Sequence, residues 1–217
     1  MGVFKDRVDI NNKTAEEKNM KELADICRKS FTSPDSDMLL KKLLIGEVSD
    51  TDKRHHEKHD LCSGCKSDSE TEKRICRCMY YYDKNPSICE GCNLPRRWKN
   101  IGDIEVTEYE IPTEQVMEGI GGMDLILDGK YAAEIKKPYS KETLVRMLAE
   151  ILTYTIGSKY KPAIALFEGS YQWESFKKHS GEDSLAEILK HVAVFQVSVE
   201  YEDNLAKYRI FEIAGKR

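Results

Sequence analysis

Apolar positions change their period twice along the chain. From residue 101 onward they fall into short alternating or continuous runs. These predict strands at 104–111, 123–127, 131–136, 163–167, 193–201 and 207–213. Between the third and fourth runs the period lengthens to that of a helix. This helix starts near Ser140, buries Leu144, Met147, Leu148, Ile151 and Thr155, and stops at Gly157. Two short helices, 172–178 and 184–191, are split by Gly181. Residues 1–50 are also helical in pattern. Thr14 and Glu17 have capping-box spacing, and Met20, Leu23, Ala24, Cys27 and Phe31 share one face. A shorter apolar helix, 38–45, follows a Ser-Pro-Asp-Ser turn. The expected class is α/β, a mixed sheet flanked by helices.

Residues 51–100 break this pattern. A polar stretch leads into six cysteines spaced Cys62-x-x-Cys65, Cys76-x-Cys78 and Cys89-x-x-Cys92. The sequence therefore divides into a helical segment (1–50), a small cysteine-rich module (51–100) and an α/β core (101–217). The N-terminus has no apolar run of the signal-peptide kind, Asp6 stands where a myristoylation signal needs Ser or Thr, and no stretch approaches the ~20 apolar residues of a membrane span. A cytoplasmic protein without a membrane partner is expected, and in that compartment clustered thiols hold metal more often than they form disulfides. Zinc is the expected ion, one or two per chain. His56 and His59 precede Cys62 and Cys65 by the same step and would complete a second site, with His55 as an alternative. Cys27, on the apolar stripe, reads as a buried core thiol.

The 217 residues are 33% charged and 40% hydrophobic with a net charge of −4, which suits a folded protein and does not mark the whole chain as a nucleic-acid binder. Charge is uneven, however. From Lys73 to Lys99 seven basic residues face two acids, a formal balance of +5 before any thiolate is counted. Arg96 and Arg97 are the expected phosphate contacts, with Lys137 beyond the module. Tyr80, Tyr81, Tyr82 and Trp98 read equally well as base-stacking rings or as a small core.

The segment GGMDLILDGKYAAEIKKP, Gly121 to Pro138, carries the sharpest chemistry. Asp124 lies on one apolar strand, and Glu134 and Lys136 lie two positions apart on the next, so the latter pair share a face. A two-residue loop at Asp128-Gly129 would set Asp124 opposite Ala133 and put Glu134 on the other face. For the acids to meet, the loop must have an odd count, such as Asp128 to Lys130, or the strand a bulge. Such an irregularity is expected. Two carboxylates and an amine at a strand end suit a magnesium-dependent phosphodiesterase: Asp124, Glu134 and the Ile135 carbonyl as metal ligands, and Lys136 on the attacking water or the phosphate. No Walker-type loop is present, so ATP use is not indicated. His179 and His191 read as exposed or capping residues.

This segment resembles the PD-(D/E)xK nuclease superfamily, the restriction-endonuclease-like fold. Asp124 matches that family's Asp, and Glu134 and Lys136 match its Glu-x-Lys. Glu150 and Tyr154 on the following helix resemble the Q-x-x-x-Y motif of the RecB-like branch, with Glu in place of Gln. The resemblance covers roughly residues 101–168. It implies a deoxyribonuclease using magnesium or manganese, with the cysteine module aiding substrate binding or stability. It also implies an acid upstream, for which Glu118 is the candidate, with Glu105, Glu108 and Glu110 behind it. Some relatives of the RecB-like branch carry an iron–sulfur cluster on four cysteines that flank the core. Here all six precede it, which favours zinc. DNA is the expected partner because the family acts mostly on DNA, although phosphate chemistry alone does not separate DNA from RNA. The alternative is a non-catalytic protein that docks nucleic acid or a partner on a nuclease-like fold. Membership of an oligomer or larger assembly is compatible with either.

Overall fold

The computed structural model describes residues 12–30, 70–85, 95–112 and 122–214. Within these the chain forms α1 (Glu16–Ser30), α2 (Glu72–Lys84), β1 (Arg97–Asn100), β2 (Val106–Pro112), β3 (Gly122–Leu127), β4 (Tyr131–Ile135), α3 (Leu144–Tyr154), β5 (Lys161–Phe167), α4 (Tyr171–His179), α5 (Asp183–Ile188), β6 (Ala193–Glu202) and β7 (Leu205–Ala214). The six strands expected from the alternating runs are all present. The seven strands make one mixed sheet in the order β1-β7-β6-β5-β4-β3-β2. Pairing is parallel for β4/β5, β5/β6 and β1/β7 and antiparallel elsewhere. No helix among the described residues is long and apolar enough to cross a membrane.

Each face of the sheet has its own core. On one, Met20, Leu23, Ala24 and Cys27 of α1 meet Leu144, Leu148 and Ile151 of α3 over Ile126, Ala132 and Ile164. On the other, Ile75, Cys78 and Met79 of α2 pack with Trp98, Tyr109, Leu125 and Ala133. Cys27 is the buried core thiol its stripe predicted, and burial pushes it up to about 12. Glu16 fixes α3 from a distance: its Oε1 accepts the Leu144 N–H at 2.9 Å and its Oε2 the Tyr171 hydroxyl at 2.7 Å. A carboxylate at a helix N-terminus is favourable for an unsatisfied N–H and for the helix dipole.

Three local expectations are corrected. The N-terminal cap is Asn12 rather than Thr14, whose N–H and hydroxyl both donate to Asn12 Oδ1. The helix begun at Ser140 forms only from Leu144, and Gly157 sits at φ +71° in the turn after it rather than at its cap. His179 is buried, with its Nδ1 2.8 Å from Glu182 Oε1.

Within the region read as a cysteine-rich module, Glu72–Lys84 forms a helix packed on the sheet and Arg97–Asn100 an edge strand of it. Trp98 is 1% exposed, its N–H donates to Cys78 Sγ at 3.2 Å, and the Tyr208 hydroxyl of β7 donates to the Met79 carbonyl at 3.1 Å. Helix α2 and the last strand are thus one packing unit. Trp98→Ala is therefore expected to cost about 3–5 kcal/mol of global stability. In urea it should lower the midpoint of a single transition; a separate early transition confined to residues 70–100 would contradict this.

Candidate metal centre

The site begins with a hairpin. Leu125 pairs with Ala133, Ile126 with Ala132 and Leu127 with Tyr131, which leaves a three-residue loop, Asp128 to Lys130. This is the odd count that face-sharing required. Asp128 and Gly129 take φ +50° and +64°, a conformation that Asp and Gly tolerate best. Strand β2 pins the loop: Asp128 Oδ1 accepts the Glu105 N–H at 2.8 Å, and Thr107 Oγ1 accepts the Gly129 N–H at 3.1 Å. With the turn fixed, so is the face on which every β4 side chain lies.

At the far end the recorded pairing stops at Leu125 and Ala133, and Asp124 takes over. Its Oδ2 accepts the Ile135 N–H at 3.0 Å. The opening between β3 and β4 holds charged groups. Glu134 is 2% exposed on a strand buried throughout, so its charge needs a partner. Lys136, 7% exposed, supplies it: Nζ lies 2.5 Å from Glu134, 3.2 Å from Glu150, 3.3 Å from Glu72 and 3.4 Å from Glu142. Arg146, one turn before Glu150 on α3, donates Nε to Glu150 Oε1 at 2.8 Å and lies 3.6 Å from Glu142. Five carboxylates thus surround two cations, a formal charge of −3.

Protonation follows from that imbalance. Burial, opposed by Lys136 and reinforced by Glu72 and Glu150, raises Asp124 to about 7. Burial, with Asp124 behind it, holds Glu134 well above the usual carboxylate range, and burial also raises Glu72. For Lys136 burial works downward, but the carboxylates led by Glu134 outweigh it, so the ammonium keeps its proton. Burial pushes Glu150 up, yet Lys136 and Arg146 together hold it below its ordinary value. The Tyr154 hydroxyl stays protonated, because burial and the charges of Glu150 and Glu134 disfavour its anion.

Glu72, Asp124 and Glu134 offer one oxygen each, all within 4.8 Å of one another. Glu134 Oε2 is buried and accepts no hydrogen bond. An acceptor-only, electron-rich cluster with an orphaned oxygen fits a hard cation, which would satisfy that oxygen and offset the surplus charge.

The structure brings Asp124, Glu134, Lys136 and Glu150 together, with Ile135 joined through its amide and Tyr154 close enough to feel the charges of Glu150 and Glu134. The third acid is Glu72, from a region read as metal-binding loop. The other upstream candidates are engaged elsewhere: Glu105 with Lys84 at 3.1 Å, Glu108 with the Tyr160 hydroxyl at 2.9 Å, and Glu110 facing Arg77 at 3.9 Å. Glu118, His55, His56, His59, Cys62, Cys65, Cys89 and Cys92 lie outside the described residues. Cys76 and Cys78 sit inside α2, buried and in no disulfide, and Cys78 Sγ already accepts the Trp98 backbone N–H. Two positions apart on a helix they are turned about 200° from each other and do not converge on one ion. Tyr80 and Tyr81 pack around Tyr109, Tyr82 lies against the same core, and Trp98 is inside it. Arg96 is tied to Glu70 at 3.1 Å, Arg97 lies on β1, and Lys137 Nζ stands 5.8 Å from the Tyr139 ring. Family models, curated proteins and solved structures return no match to this chain.

A carboxyl raised to about 7 makes the folded state bind more protons than the unfolded one between roughly pH 4 and 7, so stability falls as pH rises through that window. Asp124→Asn should therefore raise Tm at pH 8 without divalent ions, by about 3–6 °C for 1–2 kcal/mol. It should also abolish the upward Tm shift that added divalent cation gives the natural chain, a shift larger at pH 8 than at pH 6 because cation displaces protons. A lower Tm for Asp124→Asn, or an unchanged cation shift, would contradict the electrostatic assignment.

Proposed function

We propose that the chain is a metal-dependent nuclease with a restriction-endonuclease-like core, hydrolysing phosphodiester bonds in DNA with magnesium or manganese. The observation that carries this reading is the meeting of Glu72, Asp124 and Glu134 at one point with the Lys136 ammonium at its rim. A divalent ion held by these three carboxylates, with the Ile135 carbonyl, would supply Lewis-acid activation of water and neutralise charge on the phosphate. The chain's own groups do the rest. Lys136 keeps its proton, so it acts as a donor rather than a base, orienting the attacking water or steadying the phosphoryl oxygens as charge builds. Glu150 holds Lys136 and Arg146 holds Glu150, so both are positioning residues. Tyr154 keeps a hydroxyl proton available at the same edge. Because Asp124 must be ionised to ligate, cleavage should rise with pH through about 7.

Zinc remains the expected second metal. Setting aside Cys76 and Cys78 as core thiols leaves two C-x-x-C pairs, Cys62/Cys65 and Cys89/Cys92, the donor count of one tetrahedral ion. Elemental analysis should find one zinc per chain, lost in Cys62→Ser and kept in Cys78→Ala. Iron in place of zinc, or zinc that depends on Cys78, would overturn this.

Cleavage of circular and linear DNA, single- and double-stranded, tests the main reading. With magnesium or manganese the natural chain should cut, and Glu72→Gln, Asp124→Ala and Lys136→Ala should each lose about 100-fold or more. A folded natural chain that binds DNA without cutting it would instead support a binding role on a nuclease-like fold.

A further inference from the structure

Of the two readings open for Tyr80, Tyr81, Tyr82 and Trp98, the structure shows core packing, and the rings left to solvent lie elsewhere. Tyr139 is 58% exposed and Tyr201 is 52% exposed. Both belong to one braced cluster. The Tyr139 hydroxyl donates to Glu70 Oε2, and Arg96 Nη1 reaches the same oxygen at 3.1 Å. The Arg96 guanidinium lies 4.9 Å from the centre of the Tyr201 ring, which also meets Trp98 edge-on at 6.5 Å. The Glu70 side chain is only 7% exposed, so the anchor is buried while the rings are not. Rings held this way lose little conformational freedom when something stacks on them.

The cluster adjoins the metal centre along two chains at once. Tyr139 follows Lys136 by three residues and Glu70 precedes Glu72 by two, so the Tyr139–Glu70 bond runs beside the Lys136–Glu72 contact. Three residues reach at most about 10 Å, which is about three stacked nucleotides at a rise of 3.4 Å. Glu70 offsets the charge of Arg96, so this surface offers aromatic faces more than free cations for phosphate. A duplex hides its base faces; a single strand presents them. We propose that Tyr139 and Tyr201, braced by Glu70 and Arg96, form a stacking platform for unpaired bases of a single-stranded nucleic acid leading into the metal centre. The proposal rests on reading that centre as phosphodiester chemistry.

The test is binding of the full chain, without added divalent ion, to fluorescent 12-mer single strands of DNA and of RNA and to a DNA duplex, read by anisotropy. Tyr139→Ala and Tyr201→Ala should each weaken single-strand binding by about tenfold, with duplex binding and the cation-induced Tm shift unchanged. Tyr139→Phe, which keeps the ring but not the Glu70 bond, should bind more weakly than the natural chain and more tightly than Tyr139→Ala. Ring dependence seen with only DNA or only RNA supports the platform and identifies its source of bases. Equal losses on single strand and duplex, no loss at all, or no single-strand binding by the natural chain would overturn it. Since binding is read without turnover, ring-dependent binding by a chain that never cleaves would keep the platform and remove the nuclease reading. Cleavage without ring dependence would do the reverse.

Discussion

A carboxylate in the middle of a buried strand constrains everything around it. Glu134 lies on β4, whose five residues are all buried, with helices of two separate cores above and below. A lone charge there would cost several kcal/mol. Lys136 offsets it, but Lys136 is itself buried among four carboxylates drawn from three elements and the loop before α3. The pair does not close the ledger; it leaves an anionic excess with one buried oxygen unpaired. A fold that stabilised only itself would have placed apolar side chains here, since well-packed hydrophobic groups are usually at least as favourable as a buried ion network. Surplus charge at the opening of β3 and β4 is the feature that a bound cation would offset.

The rest of the scaffold makes that arrangement rigid. The Asp128–Gly129 turn, held by Glu105 and Thr107, decides the register and therefore the face of Asp124 and Glu134. Glu16 caps α3 from 128 residues away and so sets where Glu150 and Arg146 stand. On the opposite face, Tyr208 and Cys78 fasten α2 to the sheet, and its first turn delivers Glu72. The elements that carry the centre's groups are thus fixed by contacts outside it, as a site with preset geometry needs.

The hairpin was legible because its signals are local. Alternation gives the faces of β3 and β4, and the requirement that two acids meet gives the odd loop. Glu150 and Tyr154 were singled out by the resemblance to a Q-x-x-x-Y motif, and their spacing of one helical turn adds only that both can face one edge. Glu72 was not. It sits 64 residues from Lys136, and no local pattern reports a contact at that separation. Helix α2 carries a helical signal in Ile75, Met79 and Tyr82, which the reading of Cys76 and Cys78 as metal ligands passed over. The tyrosines stayed undecided between two readings for a related reason. A ring that stacks on a base and a ring that fills a core look alike in sequence, and only burial separates Tyr80 and Tyr81 from Tyr139 and Tyr201.

The most direct measurement is anomalous diffraction from crystals soaked in manganese. The account predicts one strong peak bounded by the carboxylates of Glu72, Asp124 and Glu134, with Lys136 beside it rather than on it. Crystals that take up manganese only elsewhere, leaving the Lys136 ammonium alone among the five carboxylates, would show that the buried charges are a closed structural network and not a metal centre.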